Sequence, residues 1–103
     1  MGHIISGFSI VSDEPWTAAQ LAAIRGAIRD ILARTAKSPI TEESIDAHWQ
    51  AHRDPPNTVI FDRPVPHSAF WITDDWDEAG AWGEIFSKHC KPVGLDVLQH
   101  FST

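Results

Sequence analysis

Two strand-like runs joined by a short proline-rich connection constrain the fold of this chain more than any other feature. The runs are residues 58–61 and 69–73, and their side chains are mostly β-branched or aromatic. The connection, residues 63–68, contains two prolines, which have no backbone N–H to donate to a strand ladder. Because so short a connection joins antiparallel neighbours, the sequence predicts that the two runs pair as a hairpin.

The segments on either side of this hairpin supply the remaining elements. Residues 3–12 alternate like a strand and carry aliphatic side chains on both faces, which predicts a central position in a sheet. A long helix begins after the N-cap Thr17, and a shorter helix begins after Thr41. A third helix is predicted from Asp75 to about residue 91, and residues 94–101 form a last strand. Gly80 and Gly83 lie inside that third helix, which suggests close packing against it.

The order of elements predicts a ferredoxin-like α+β fold. It is β, α, a short extra α, β, β, α, β, in a single domain spanning residues 1–103, with an antiparallel sheet and both main helices on one face. A barstar-like fold with parallel strands is the main alternative, and the short hairpin connection disfavours it. The second sheet face would then be without a helix and would carry apolar side chains: Ile5, Val11, Ile60, Trp71 and Leu98. We therefore expect a homodimer that pairs these faces, as in a dimeric α+β barrel.

Composition narrows the classes of partner. The net charge of −6 disfavours nucleic-acid backbones and anionic membrane surfaces, and no apolar run approaches the roughly 18 residues of a membrane helix. A small molecule or a basic protein is the more plausible partner. The single cysteine, Cys90, excludes an intrachain disulfide and favours a reducing compartment, so we expect a soluble, cytoplasmic protein.

Two histidines on the short helix have the spacing of a metal-binding pair. His48 and His52 are four residues apart, which can place two imidazoles on one ion, although Trp49 stands where a zinc protease has its general-base Glu. A third ligand for iron or zinc would have to come from His67, His100 or Asp54. The alternative is that both histidines simply pack the short helix against the sheet.

Two further segments resemble a known family. Residues 62–67, DRPVPH, and 94–100, GLDVLQH, resemble the DRPVGPH and GLxVLxH segments of small DOPA 4,5-dioxygenase-like proteins. The resemblance implies a ferredoxin-like fold and a small, aromatic substrate, with His67 and His100 as polar or metal-binding groups. Ser9 and Val11 stand where that family has a histidine pair. The candidate ligand-binding residues are His67, His100, Trp71 and Arg63.

An acidic cluster surrounds one tryptophan at the start of the third helix. It consists of Asp74, Asp75, Trp76, Asp77 and Glu78. Acidic residues at a helix N-terminus are favourable for structural reasons alone. The same cluster could bind a basic protein, as inhibitors and immunity proteins do. The sequence thus leaves two functional hypotheses open: a ligand-binding or dioxygenase-like domain, and an acidic protein-binding module.

Overall fold

The computed structural model describes residues 5–35, 39–60, 62–73 and 76–102, and these residues form an α+β domain. Its elements in chain order are β1 (Ile5–Ser12), α1 (Ala18–Thr35), α2 (Glu42–His52), β2 (Thr58–Ile60), β3 (Arg63–Val65), β4 (His67–Thr73), α3 (Trp76–Cys90) and β5 (Val97–Ser102). A short 3-10 turn, Lys91–Val93, follows α3. Within the described ranges, no helix combines the length and the apolar character that crossing a membrane requires.

β1 is the central strand of a three-stranded antiparallel sheet. It pairs with β4 on one side and with β5 on the other, which gives the order β4-β1-β5. The predicted central position of the first strand is therefore confirmed. The order and the strand directions are compatible with a ferredoxin-like fold.

The predicted pairing of residues 58–61 with residues 69–73 is wrong. β2 pairs instead with β3, with Val59 opposite Pro64, and β4 pairs with β1. The chain reverses between Ile60 and Arg63, where Asp62 adopts a left-handed backbone conformation with φ 62°. Aspartate tolerates this conformation better than most residues, and proline is acceptable in a two-stranded edge ladder. The proline-rich segment thus forms one arm of a tighter hairpin, the β2–β3 hairpin.

The helices cover the sheet face that carries the largest side chains. Phe8 and Trp71 are neighbours across β1 and β4, and their rings stack with centroids 5.3 Å apart. The ring of Trp71 also packs against the ring of Phe86 in α3, with centroids 4.4 Å apart. The core on this face includes the following buried residues: Phe8, Ile10, Ile24, Ile28, Ile31, Ala69, Trp71 and Phe86. The expectation that Trp71 lies on the uncovered face is therefore wrong, because its register with Phe8 places it on the helix side.

Local signals at the helix ends and in α3 are largely confirmed. The backbone N–H of Gln20 donates to Thr17 Oγ1 at 3.0 Å, and the backbone N–H of Thr17 donates to Gln20 Oε1 at 3.0 Å. Thr41 caps α2. In α3 the close packing is found at Gly83, where a Cβ atom would collide with the side-chain amide of Gln99, whereas Gly80 faces open space. The predicted cap Asp75 lies outside the described residues.

The β2–β3 hairpin partly covers the sheet face away from the helices, here called the open face. Ile60 and Val65 are buried, whereas Val59, which points the other way, is 64% exposed. The chain before the hairpin is held to the edge of β4, because the backbone N–H of Asp54 donates to the Ser68 carbonyl oxygen at 2.9 Å. The face predicted to need a second copy is thus partly covered by the chain's own hairpin.

Trp71 and Ile72 are adjacent in β4 and lie on opposite faces of the sheet. Substitutions at these two positions therefore test which face the helices cover. Trp71→Ala should lower the free energy of unfolding by about 3–5 kcal/mol, because it removes a fully buried aromatic ring. Ile72→Ala should cost no more than about 1 kcal/mol, because Ile72 is 61% exposed. Urea denaturation of both variants provides the comparison, and a larger loss for Ile72→Ala would contradict the face assignment.

Candidate ligand-binding cavity

A cavity of about 220 Å³ lies between the open face of the sheet and the β2–β3 hairpin. The sheet supplies its floor, and β2 with the segment before it supplies its walls. Its lining residues are Ser9, Asp54, Thr58, Val59, Ile60, Phe70 and His100. The cavity therefore combines an apolar wall with a few polar groups, which is the usual composition of small-molecule sites.

One small residue of the central strand, Ser9, lies on the floor of this cavity. Gly7 is the preceding residue of β1 on the open face, and it is not among the lining residues. The rings of Phe70 from β4 and His100 from β5 meet across β1 edge to face, with centroids 5.0 Å apart. A larger side chain at Ser9 would extend into the cavity, whereas a Cβ atom at Gly7 would collide with the backbone carbonyl oxygen of Trp71.

The polar groups of the cavity are set by burial and by local hydrogen bonds. The Ser9 hydroxyl oxygen is buried and has no hydrogen-bond partner within the described part of the chain. Burial lowers the pKa of His100, which favours the neutral imidazole near neutral pH. Ser68 Oγ donates to Asp54 Oδ2 at 2.8 Å, which orients that carboxylate at the edge of the cavity. Thr58 Oγ1 donates to the Pro55 carbonyl oxygen at 2.7 Å.

The structure does not bring His67 and His100 together. His67 pairs with Ser12 on the helix side of the sheet, and its ring lies 6.2 Å from that of Trp16. His100 pairs with Gly7 and lines the cavity on the open face. The two histidines that the family resemblance singles out therefore cannot share one ligand or one metal ion in this fold.

His48 and His52 pack against Trp71. Their rings stack with centroids 4.1 Å apart, and the ring of His52 stacks on Trp71 at 5.3 Å. The indole Nε1–H of Trp71 donates to Nε2 of His48 at 2.9 Å. Burial, with a smaller contribution from His52, lowers the pKa of His48 to about 4. The lone pair of His48 Nε2 is thus already engaged, and the geometry matches the packing alternative.

The residues predicted to bind iron or zinc do not fit one metal site. Among the residues that the structure describes, no three His, Cys, Asp or Glu side chains are placed to hold an ion. Arg63, another ligand-binding candidate, forms an ion pair with Asp13 at 3.6 Å and is largely exposed. It lines a second cavity of about 350 Å³ on the open face, together with Val11, Ile60, Val65, Asp96 and Leu98.

Two acidic residues of the cluster, Asp77 and Glu78, lie in the first turn of α3. Asp74, Asp75 and the side chain of Trp76 lie outside the described residues. Asp77 is exposed and Glu78 is half-buried in the first turn of α3. The acidic protein-binding module therefore stays a prediction.

Sequence reasoning identified some residues of the cavity and missed others. The sequence indicates His100 as a ligand-binding residue and Asp54 as a metal ligand, and it indicates neither Ser9 nor Phe70 as ligand-binding. The available signal is the small Ser9 in a strand that is otherwise rich in large apolar side chains.

Comparison with known proteins adds no relative. No protein-family model, curated protein or solved structure matches this chain. The resemblance to DOPA 4,5-dioxygenase-like proteins therefore stays an expectation, and the function has to be argued from the cavity itself.

The environment of His48 predicts an acid-sensitive fold. Its pKa is lowered from 6.5 to about 4 in the folded protein, so between these values the unfolded chain binds a proton at this site and the folded chain does not. The free energy of unfolding should therefore fall as the pH falls from about 6.5 to about 4. His48→Gln keeps a hydrogen-bond acceptor for Trp71 but does not titrate.

Urea denaturation over this pH range measures the effect. His48→Gln should reduce the loss of stability by on the order of 1 kcal/mol, after allowance for solvent screening of a half-buried group. His100, whose pKa is also lowered, should leave a residual dependence of the same sign. An identical pH dependence in wild type and variant would contradict the role assigned to His48.

Proposed function

We propose that this domain binds a small molecule with a single aromatic or apolar ring in the cavity under the β2–β3 hairpin. The observation that carries this proposal is the hydroxyl of Ser9, which is buried beside the cavity without a hydrogen-bond partner in the described residues. Buried polar groups are almost always hydrogen-bonded, so an unpartnered group facing a cavity suggests a ligand or a bound water.

The shape and the lining of the cavity support a ligand of this size. Its volume of about 220 Å³ is below the roughly 300–1,000 Å³ of sites for drug-sized molecules. Phe70 offers an aromatic surface, and Ile60 provides an aliphatic wall. A flat, single-ring molecule could contact Phe70 and remain beneath the hairpin.

The polar groups would fix the orientation of such a molecule. A neutral imidazole can both donate and accept a hydrogen bond, and a serine hydroxyl can do the same. His100 and Ser9 can therefore hold a hydroxyl or amine substituent of the ligand while its ring contacts Phe70. The proposal is limited to binding: the histidines that a dioxygenase-like reaction would need do not converge, and no catalytic step is assigned.

Replacing one histidine on each face of the sheet by alanine tests the proposal. Benzyl alcohol should shift backbone amide resonances around Ser9, Phe70 and His100 in a ¹⁵N-labelled protein. His100→Ala should weaken this binding by roughly tenfold, the effect of losing about one hydrogen bond. His67→Ala, on the opposite face, is the matched control and should leave the affinity unchanged. An absence of shifts, or equal losses in both variants, would argue against a site in this cavity.

A homodimer and a cytoplasmic location also belong to the proposal. Val59 and Ile72 are large apolar side chains that are 64% and 61% exposed, and a second copy would remove them from water. Cys90 is buried, and burial raises the pKa of its thiol to about 11, so it is a core residue that suits a reducing compartment.

The dimer can be tested by substituting the exposed Ile72, because Trp71 is buried in the core of the chain itself. Light scattering should give twice the chain mass for the wild type and one chain mass for Ile72→Glu, because the substitution places a charge in an apolar contact. Ala22→Glu, on the exposed surface of α1, controls for the added charge and should stay dimeric. A monomeric wild type at high micromolar concentration would refute the dimer.

A further inference from the structure

Among the described residues, those that line the cavity under the hairpin include one carboxylate and no lysine or arginine. The carboxylate is that of Asp54. His100 contributes no positive charge near neutral pH, because burial favours its neutral form. A ligand in this cavity would therefore experience a net negative potential at short range.

Within the part of the chain that the structure describes, Asp54 has no cationic partner, unlike several other carboxylates. Asp13 pairs with Arg63 and Asp30 pairs with His89, whereas no ion pair to Asp54 is formed within the described ranges. The neighbouring cation is directed elsewhere, since the Arg53 guanidinium lies over the ring of Trp49, 5.9 Å from its centroid.

The carboxylate of Asp54 is also held in place. The backbone N–H of Asp54 donates to the Ser68 carbonyl oxygen, and Ser68 Oγ donates to Asp54 Oδ2. Ser68 is buried and Asp54 is half-buried, so this oriented carboxylate is partly removed from water. A fixed, partly desolvated carboxylate gains more from a cationic ligand than a mobile surface carboxylate does.

The other polar and aromatic groups of the lining also suit a cation. An ammonium group has three N–H donors and no acceptor, and the lining offers a carboxylate, a neutral imidazole and a hydroxyl oxygen as acceptors. Phe70 adds an aromatic ring, which attracts a nearby cation to its face. An anionic ligand would find no positive side chain among the described residues of the lining.

We propose that the ligand of this cavity is a small primary amine with a single-ring body, bound as its ammonium ion with Asp54 as the counter-ion. This inference rests on the proposed function of the cavity and adds the charge of the ligand. It distinguishes Asp54, which selects the ligand by charge, from Ser9 and His100, which would also hold an uncharged one.

Three ligands of nearly equal shape distinguish the effect of ligand charge on affinity from the effect of filling the cavity. Benzylamine, benzyl alcohol and benzoate are titrated at neutral pH and equal ionic strength into ¹⁵N-labelled wild-type protein, and amide shifts near Ser9, Phe70 and His100 report binding. Benzylamine should bind at least about tenfold more tightly than benzyl alcohol, and benzoate should not bind. Asp54→Asn should reduce the ratio of the two affinities to about one.

Asp96→Asn is the matched control, because Asp96 lines the second cavity, and it should preserve the preference for the amine. Ser68→Ala keeps the charge but removes the bond that orients it, so the preference should become smaller without disappearing. This variant also covers the case in which Asp54→Asn does not fold, which the amide spectrum would reveal.

The possible failures are distinguishable. Equal binding of benzylamine and benzyl alcohol to the wild type would overturn the charge inference and leave the proposed function standing. A preference that persists in Asp54→Asn would overturn the assignment of Asp54 and attribute the effect to the overall negative charge. Binding of none of the three ligands would overturn the proposed function together with this inference.

Discussion

The packing of Trp71 is the contact on which the rest of the structure depends. Its ring packs against Phe8 of the central strand and Phe86 of α3, which also contact each other, and its indole N–H donates to His48 of α2. One side chain therefore connects the sheet to two helices. A buried indole needs a partner for its N–H, and the neutral imidazole of His48 supplies the acceptor inside an otherwise apolar region. This explains histidines on the inner side of α2 without a metal ion.

The concentration of large rings on the helix side determines what remains on the open face. Side chains alternate along a strand, so β1 directs Phe8 and Ile10 to the helices and Gly7 and Ser9 to the other side. The β2–β3 hairpin covers part of this face with Ile60 and Val65. The floor beneath it combines the small Ser9 with the rings of Phe70 and His100, and a cavity remains between this floor and β2 of the hairpin. The same alternation that builds the core thus creates the candidate site.

The sequence predicts the features that depend on neighbouring residues and misses those that depend on pairing between distant ones. The cap at Thr17, the start of α2 after Thr41 and the character of β1 follow from local chemistry, and the structure confirms them. The partner of β2 depends on a two-residue reversal, which the left-handed conformation of Asp62 makes possible and which proline content alone does not reveal. The face of Trp71 depends on the register between β1 and β4. A shift of one residue in such a register moves every side chain to the opposite face.

The candidate site also combines residues that local sequence indicates with residues that only distant strand pairing brings together. The sequence context of His100 indicates a ligand-binding residue, but its predicted association with His67 is wrong. His67 in β4 and His100 in β5 lie on opposite faces of the sheet, which only the registers of these strands with β1 determine. Asp54 and Ser9 become part of a site only when the hairpin folds over the sheet. The most direct measurement is therefore the position of a bound ligand, from nuclear Overhauser effects between the ring protons of benzyl alcohol and the wild-type protein. Contacts to the rings of Phe70 and His100 and to the methyl groups of Ile60 are expected, whereas contacts to Trp71 and Phe86 on the helix side would contradict a binding site beneath the hairpin.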